Sequence, residues 1–193
     1  MKPLNIFLVV LVLALALVPW VPQLAYPIFV MKLLCMALFA GAYSLLLGFG
    51  GMMSFGHAAF FGSAAYMTGV AAKLWGLPPE LALLLGTAAA ALLGAIFGAL
   101  AIHRQGIYLA MITLALAQMV YFIFLQLPFT GAEDGMQQIP RGTLLGVIDL
   151  RNDTAMYYLV LALTLGALWL IHRVVHSPFG HIVVAIREHE PRA

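Results

Sequence analysis

The stretch GFGGMMSFGHAAFFGSAAY sets Gly48, Gly50, Gly51, Gly56 and Gly62 inside sequence apolar enough to lie in a lipid bilayer. Between Ile28 and Leu74 the only charged residues are Lys32 and Lys73. As a single helix that segment would be about 70 Å long at a rise of roughly 1.5 Å per residue. The hydrocarbon core of a bilayer is roughly 30 Å thick, so the segment has to turn back on itself, and the glycines mark where. Irregular backbone at membrane depth is tolerated only where protein or a water-filled cavity satisfies its polar groups. Transporters use broken spans of this kind to build a path or a gate.

The chain is 64% hydrophobic and 8% charged, whereas soluble domains carry about a quarter charged residues. The fold class predicted is therefore an all-α polytopic membrane protein. Six apolar runs have spanning length, giving about six transmembrane helices: Leu4–Val21, Ile28–Leu47, Ser54–Ala72, Leu81–Ile102, Ile107–Leu127 and Ala155–Ile171. The Gly-rich break falls near residues 48–53. Lys2, the apolar run Ile6–Val18 and Gln23-Leu24-Ala25 have the outline of a secretory signal. The site lacks a small-x-small pattern and is crowded by Pro19 and Pro22, so an uncleaved first span is expected. A net charge of +2 without a Lys/Arg run excludes nucleic acid as a partner and leaves membrane lipid as the surrounding phase. Cys35 is the single cysteine, so no intramolecular disulfide forms.

Orientation follows the positive charges. A cytoplasmic N-terminus puts Lys2, Arg104, Arg173, Arg187 and Arg192 inside, and Lys32, Lys73, Arg141 and Arg151 at or beyond the outer side. The cluster His172, Arg173, His176 and Arg187 is the better local anchor, and His103-Arg104 agrees with it. Trp20, Tyr26, Trp75, Tyr108, Tyr157 and Tyr158 stand near span ends and suit interfacial belts. The fourth run carries Gly86, Ala90, Gly94 and Gly98 along one face, a spacing that lets a neighbouring helix approach closely, either within the chain or from a second membrane subunit. The connection Pro128–Thr154 holds Gly131, Glu133, Asp134, Gly135, Pro140, Asp149 and Asp153 and is either a solvated loop or a docking surface.

Polar side chains inside spans are costly and rarely face lipid. Ser54 and His57 lie three residues apart, on one face if helical. His57 either bonds carbonyls freed at the Gly48–Gly51 break or lines a translocation path or gate. Tyr43, Ser44, Thr68, Thr113 and Gln118 are the remaining ones, each suited to an interhelical hydrogen bond, with Gln118 the best placed for a cavity. The path or gate candidates are thus Gly48, Gly50, Gly51, Ser54, His57 and Gln118. After the last span, Ser177 and Pro178 read as the N-cap and first residue of a short helix. Its apolar stripe is Ile182, Val183, Ala185 and Ile186, with Arg187, Glu188 and Glu190 off it and Pro191 as a stop. Such a helix lies on a lipid surface or in a partner's groove.

Three blocks together resemble one family: residues 48–66 above, GIYLAMITLALAQMVYF (106–122) with TGAEDGMQQIP (130–140), and SPFGHIVVAIREHEPRA (177–193). They are similar, in order and spacing from Ile28 to Ala193, to the permease subunits of ATP-binding-cassette importers for branched-chain amino acids, the LivM type in particular. The resemblance implies a transmembrane permease domain over 1–171 and a cytoplasmic coupling segment over 172–193. It implies a paralogous permease subunit, two cytoplasmic ATP-binding subunits and a periplasmic substrate-binding protein as partners, in a bacterial inner membrane. Coupling to the ATPase falls on Ser177, Pro178, Phe179, Gly180, Ile182, Ile186, Arg187, Glu188 and Glu190, and binding-protein docking on Glu133, Asp134 and Gly135. ATP is used by the partner subunits, since the chain has no G-x-x-x-x-G-K-[ST] loop; the chain is not itself expected to be an enzyme, nor to hold a cofactor or metal. Family members continue past the coupling segment with further spans, so a fragment or truncated product is expected.

Two readings from other classes compete. An intramembrane serine protease would use Ser54 and His57, but its base normally comes from another helix and it needs a preorganised oxyanion site. A passive channel or structural subunit fits the small-residue faces but gives the amphipathic tail helix no task. Within the family, urea, short amides or other amino acids are alternative substrates.

Overall fold

The computed structural model describes residues 3–20, 26–101, 106–144, 146 and 148–188, and the side chains of all of these but 3–9, 133 and 186–188. Seven α-helices follow one another among these residues: α1 (Pro3–Leu17), α2 (Pro27–Ser44), α3 (His57–Lys73), α4 (Pro79–Ala101), α5 (Ile107–Gln126), α6 (Asp153–Val175) and α7 (Pro178–Glu188). A two-residue antiparallel hairpin, β1 (Thr143–Leu144) with β2 (Ile148–Asp149), interrupts the connection between α5 and α6. Four helical stretches are long and apolar enough to cross a membrane: Pro27–Phe49, Pro79–Ala101, Ile107–Gln126 and Asp153–Val175. The runs Leu4–Val21 and Ser54–Ala72 form the shorter helices α1 and α3, of 15 and 17 residues. α3 starts at His57 because Ser54–Gly56 belong to the break. Leu84, Leu92, Met111 and Met119 turn outward and are exposed, as lipid-facing surface of a multi-pass membrane protein has to be.

The helices pack in two groups. α3, α4 and α5 form one, with Gly86 of α4 set so close to α3 that a β-carbon there would meet Thr68 Oγ1 and the Ala64 carbonyl. α2 and α6 form the other, around Val30, Met31 and Leu34 against Tyr157 and Leu161. The edge-on pairs Phe39–Phe61 and Tyr43–His57 join α2 to α3. Tyr157 is fully buried and donates to the Leu15 carbonyl (2.7 Å), while Tyr158 donates to the Ala16 carbonyl (3.0 Å). The last carbonyls of a helix have no partner within it, so these two hydroxyls close the end of α1. Tyr157 is therefore a core residue and not part of an interfacial belt, in contrast to Trp20, which is 78% exposed and donates to Tyr158 Oη.

At one end of the bundle α7 packs against the turn that follows α2. At the other, the α5–α6 connection closes over the ends of α3 and α4. Met136 and Ile139 sit against Gly69, Gly142 against Pro79, and Lys73 Nζ donates to the Gln137 carbonyl at 2.7 Å. Asn152 caps α6 by accepting from the Thr154 amide (3.0 Å), and Arg141 pairs with Asp153 at 2.6 Å.

The small-residue face of α4 divides accordingly: Gly86 is occupied by α3, whereas a β-carbon at Gly94 or Gly98 would meet nothing within 4 Å. Gly86→Val is expected to lower the stability of the detergent-solubilised chain by about 1–3 kcal/mol through overpacking. Gly94→Ala and Gly98→Ala should leave the unfolding midpoint unchanged or slightly raised, as measured by thermal unfolding of the three variants side by side.

Candidate functional site

α2 does not stop at Ser44 but widens into one π turn, Leu45–Phe49, with the Gly50 amide donating to the Leu45 carbonyl at 3.3 Å. Single π turns inside helices concentrate at functional sites. Gly51 then takes φ +64, the left-handed region that glycine enters without steric penalty, and the chain leaves the helix. Two side chains satisfy the freed backbone beyond it. The Phe55 amide donates to Thr113 Oγ1 of α5 (3.1 Å), and the Gly56 amide donates to Ser54 Oγ (3.3 Å). The Thr113 hydroxyl proton is itself directed to the carbonyls of Leu109 (2.9 Å) and Ala110 (3.0 Å) in its own helix, which leaves its oxygen free to accept. Ser54 is buried, and a β-carbon on Gly56 would stand 3.2 Å from the Phe97 ring of α4.

His57 opens α3 with its ring edge-on to Tyr43 (5.4 Å between centroids) and to Phe60 (5.8 Å), and Phe60 meets Phe97 in turn (5.1 Å). Its Nδ1 is buried without a hydrogen-bond partner among the described residues. The surroundings of this histidine are thus mainly aromatic. Ser54 and His57 lie on the two sides of the point where α3 begins, so they do not share a helical face.

α3 and α5 run parallel. Phe55 meets Thr113, and Tyr66 stacks on Phe124 (5.0 Å between centroids, 11° between planes), both pairs at the same offset of 58 residues. Between these two pins lies a cavity of about 310 Å³, whose lining includes Phe55, Gly62, Ser63, Tyr66, Gln118 and Phe124. The structure thus brings Gln118 to a cavity wall. Gly48 in the π turn, Gly50, Gly51 and Ser54 in the break, and His57 at the start of α3 stand at one end of that cavity and do not line it. Thr68 bonds within its own helix, to the Ala64 carbonyl at 2.8 Å, so it is not an interhelical bridge. Tyr66 and Ser63 were not among the sequence candidates. Their only signal was a polar side chain at every third position of the same helical face.

In the tail, Ser177 caps α7: its Oγ accepts from the Gly180 amide (3.4 Å) and donates to the Val174 carbonyl (2.6 Å), with Pro178 in the first helical position. Gly180 is buried in the corner between α6 and α7, where a β-carbon would strike the carbonyls of Val174 and Val175. Val183 and Val184 turn partly inward, whereas Phe179 is 66% exposed and Ile182 56%. The stripe read from sequence is thereby split: Ile182 and Ala185 face outward with Phe179, and Val183 faces inward, because Gly180 fixes which side of α7 meets the bundle. Ile186, Arg187 and Glu188 continue the backbone of α7, and Glu190 lies outside the described residues. At the opposite end, Glu133 and Asp134 occupy a 3-10 turn, Ala132–Asp134, between Gly131 (φ +84) and Gly135 (φ +68). Thr130 anchors that turn, donating to the carbonyls of Phe124 (2.5 Å) and Leu127 (2.6 Å).

Because a buried unpaired amide costs about 1–3 kcal/mol, Thr113→Val should destabilise the chain by that amount, with Thr113→Ser close to the parent. Hydrogen exchange at Phe55 should be faster in Thr113→Val, whereas exchange at Tyr157 should be unchanged.

The family described as the permease component of the branched-chain amino acid transport system matches residues 26–193. The high-affinity branched-chain amino acid transport system permease protein LivM of Escherichia coli (strain K12) is 27% identical over 170 residues, covering 76% of this chain and 40% of that protein. The LivM of Salmonella typhimurium (strain LT2) is 26% identical over the same coverage. No solved structure matches. The chain spans about 40% of the length of the curated relatives it matches. With its match running from residue 26 through α7, the chain belongs to the family of branched-chain amino acid transport permeases.

Proposed function

We propose that this chain is a membrane permease subunit of an ATP-driven importer for the branched-chain amino acids leucine, isoleucine and valine. It contributes part of the translocation path and couples to a separate ATPase. The observation that carries this reading is the contact of α7 with the π turn Leu45–Phe49, while Phe179 and Ile182 of α7 point away from the bundle. An exposed apolar face on a short capped helix suits the groove of a partner protein. The same helix touches the π turn at which α2 gives way to the break.

On this reading α1 and α3 also cross the bilayer. α3, at 17 residues, reaches the lower limit of about 17–25 for a span, and the residues of the break complete the crossing. The N-terminus and α7 are cytoplasmic, in a bacterial inner membrane. The turn holding Glu133, Asp134 and Gly135 faces the periplasm, where its exposed Asp134 suits the docking of a substrate-binding protein. A paralogous permease supplies the other half of the path, and the Gly94 and Gly98 face of α4 is open to such a neighbour. Two ATP-binding subunits drive alternating access by moving α7. ATP chemistry stays in those subunits.

The test is reconstitution, in proteoliposomes, of the permease subunit that carries this sequence together with its native partner subunits and binding protein. ATP-dependent leucine uptake is expected. Phe179→Asp and Ile182→Asp should each reduce uptake by about tenfold or more, since a charge enters an apolar contact, while the variants still insert and assemble. Uptake that proceeds equally without ATP would overturn the reading.

A further inference from the structure

We propose that His172 and His176, at the end of α6, form a binding site for a divalent transition-metal ion of the Zn²⁺ or Ni²⁺ kind. The site goes beyond the importer reading and does not depend on it. Residues four apart stand one above the other on a helix, and two histidines at that spacing can reach one ion. Here their ring centroids are 4.2 Å apart, with 41° between the planes. Two imidazoles holding one ion at about 2.0–2.1 Å from nitrogen to metal stand about 4.5–5 Å apart between centroids. A small opening of the pair therefore suffices. Both side chains are exposed, so no packing opposes it and the ion has an open path from solvent.

A second observation points to a ligand on the outer ring nitrogens. His176 Nδ1 donates to the His172 carbonyl at 2.9 Å. A neutral imidazole that donates from Nδ1 keeps its lone pair on Nε2. Metal-binding histidines are held in this way, by a hydrogen bond from the other ring nitrogen that fixes the tautomer and the ring orientation. The electrostatics agree. The pair stands at the C-terminal end of a helix of 23 residues, where the macrodipole is negative and favours a cation. The neighbouring cation is engaged elsewhere: the Arg173 guanidinium lies 5.3 Å from the Trp169 ring centroid, one turn back along the helix. Among the described residues no third His, Cys, Asp or Glu joins the pair, so water completes the coordination. Imidazole ligands suit zinc, copper and nickel, whereas magnesium and calcium require oxygen. An ion held there ties together the turn that leads into the Ser177 cap, at the joint from which α7 departs.

The experiment is modification by diethyl pyrocarbonate, read at each histidine by mass spectrometry, on the detergent-solubilised permease subunit that carries this sequence. Zn²⁺ and Ni²⁺ should slow modification of His172 and His176 together. The exposed His181 is the comparison, a single imidazole on the next helix. Two linked ligands gain over one through their effective concentration, so protection of the pair should need about tenfold less Zn²⁺, or lower still, than protection of His181. Mg²⁺ should protect neither. His172→Gln leaves the backbone carbonyl that orients His176 in place, and should raise the Zn²⁺ needed at His176 to the level of His181. His176→Gln should do the same at His172, so the test does not rest on one variant. Zn²⁺ protection that survives at either histidine once the other is replaced would overturn the proposal. So would equal protection of His181 and the pair, protection by Mg²⁺, or a pair that fails to react in the absence of metal.

Discussion

Inside a bilayer no water is at hand for a backbone amide that leaves its helix, and the geometry of this chain is organised around that deficit. The break after α2 frees several amides within sequence that carries almost no polar side chains. The π turn recovers one of them by bonding Gly50 back to Leu45. Thr113 recovers another from a helix far along the chain, because its hydroxyl can give its proton to its own helix and still accept from Phe55. Ser54 recovers the Gly56 amide locally. Without these acceptors the backbone would return to continuous helix, and the roughly 70 Å rod that results has no place in a membrane.

The same hydrogen bond fixes a longer-range relation. Pinning Phe55 to Thr113 sets the register of α3 against α5, and the equal offset of Tyr66 and Phe124 shows that the register holds along the pair. Parallel neighbours of this kind need an intervening antiparallel element, which α4 supplies. Close packing of α4 on α3 is possible because Gly86 lets the Ala64 and Thr68 turn approach. α3 is thus held tightly on one side and loosely on the other, where Ala58 and Gly62 face Ala117 and the larger side chains of α5 across an open cavity.

Much of this was legible in the sequence, for a definite reason. Apolar runs, a glycine cluster and a Ser-Pro pair act through local chemistry, so the spans Pro27–Phe49, Pro79–Ala101, Ile107–Gln126 and Asp153–Val175, the break and the Ser177 cap are all where the residues put them. Gln118 was found because an amide in the middle of an apolar run has few places to go. What was hidden depends on pairs far apart in sequence. Tyr157 looks like an interfacial residue until the α1 carbonyls that it bonds are brought beside it. Thr113 looks like any threonine in a span until Phe55 reaches it. The face of α7 was misjudged because in a helix that is apolar over much of its circumference, the inward side is chosen by the closest contact, here Gly180 against Val174 and Val175, and not by the stripe.

That corner also defines what movement of α7 would mean on the importer reading. Gly180 leaves no gap between α7 and the last turn of α6, so α7 cannot slide along α6 without first separating from it. Its contact with Leu45–Phe49 is of a different kind: a widened turn followed by Gly50 and Gly51, with Thr113 of α5 holding the Phe55 amide before α3 begins. The break leads directly into His57 and the α3 wall of the cavity, so α7 and that wall are joined through the Leu45–Phe49 turn.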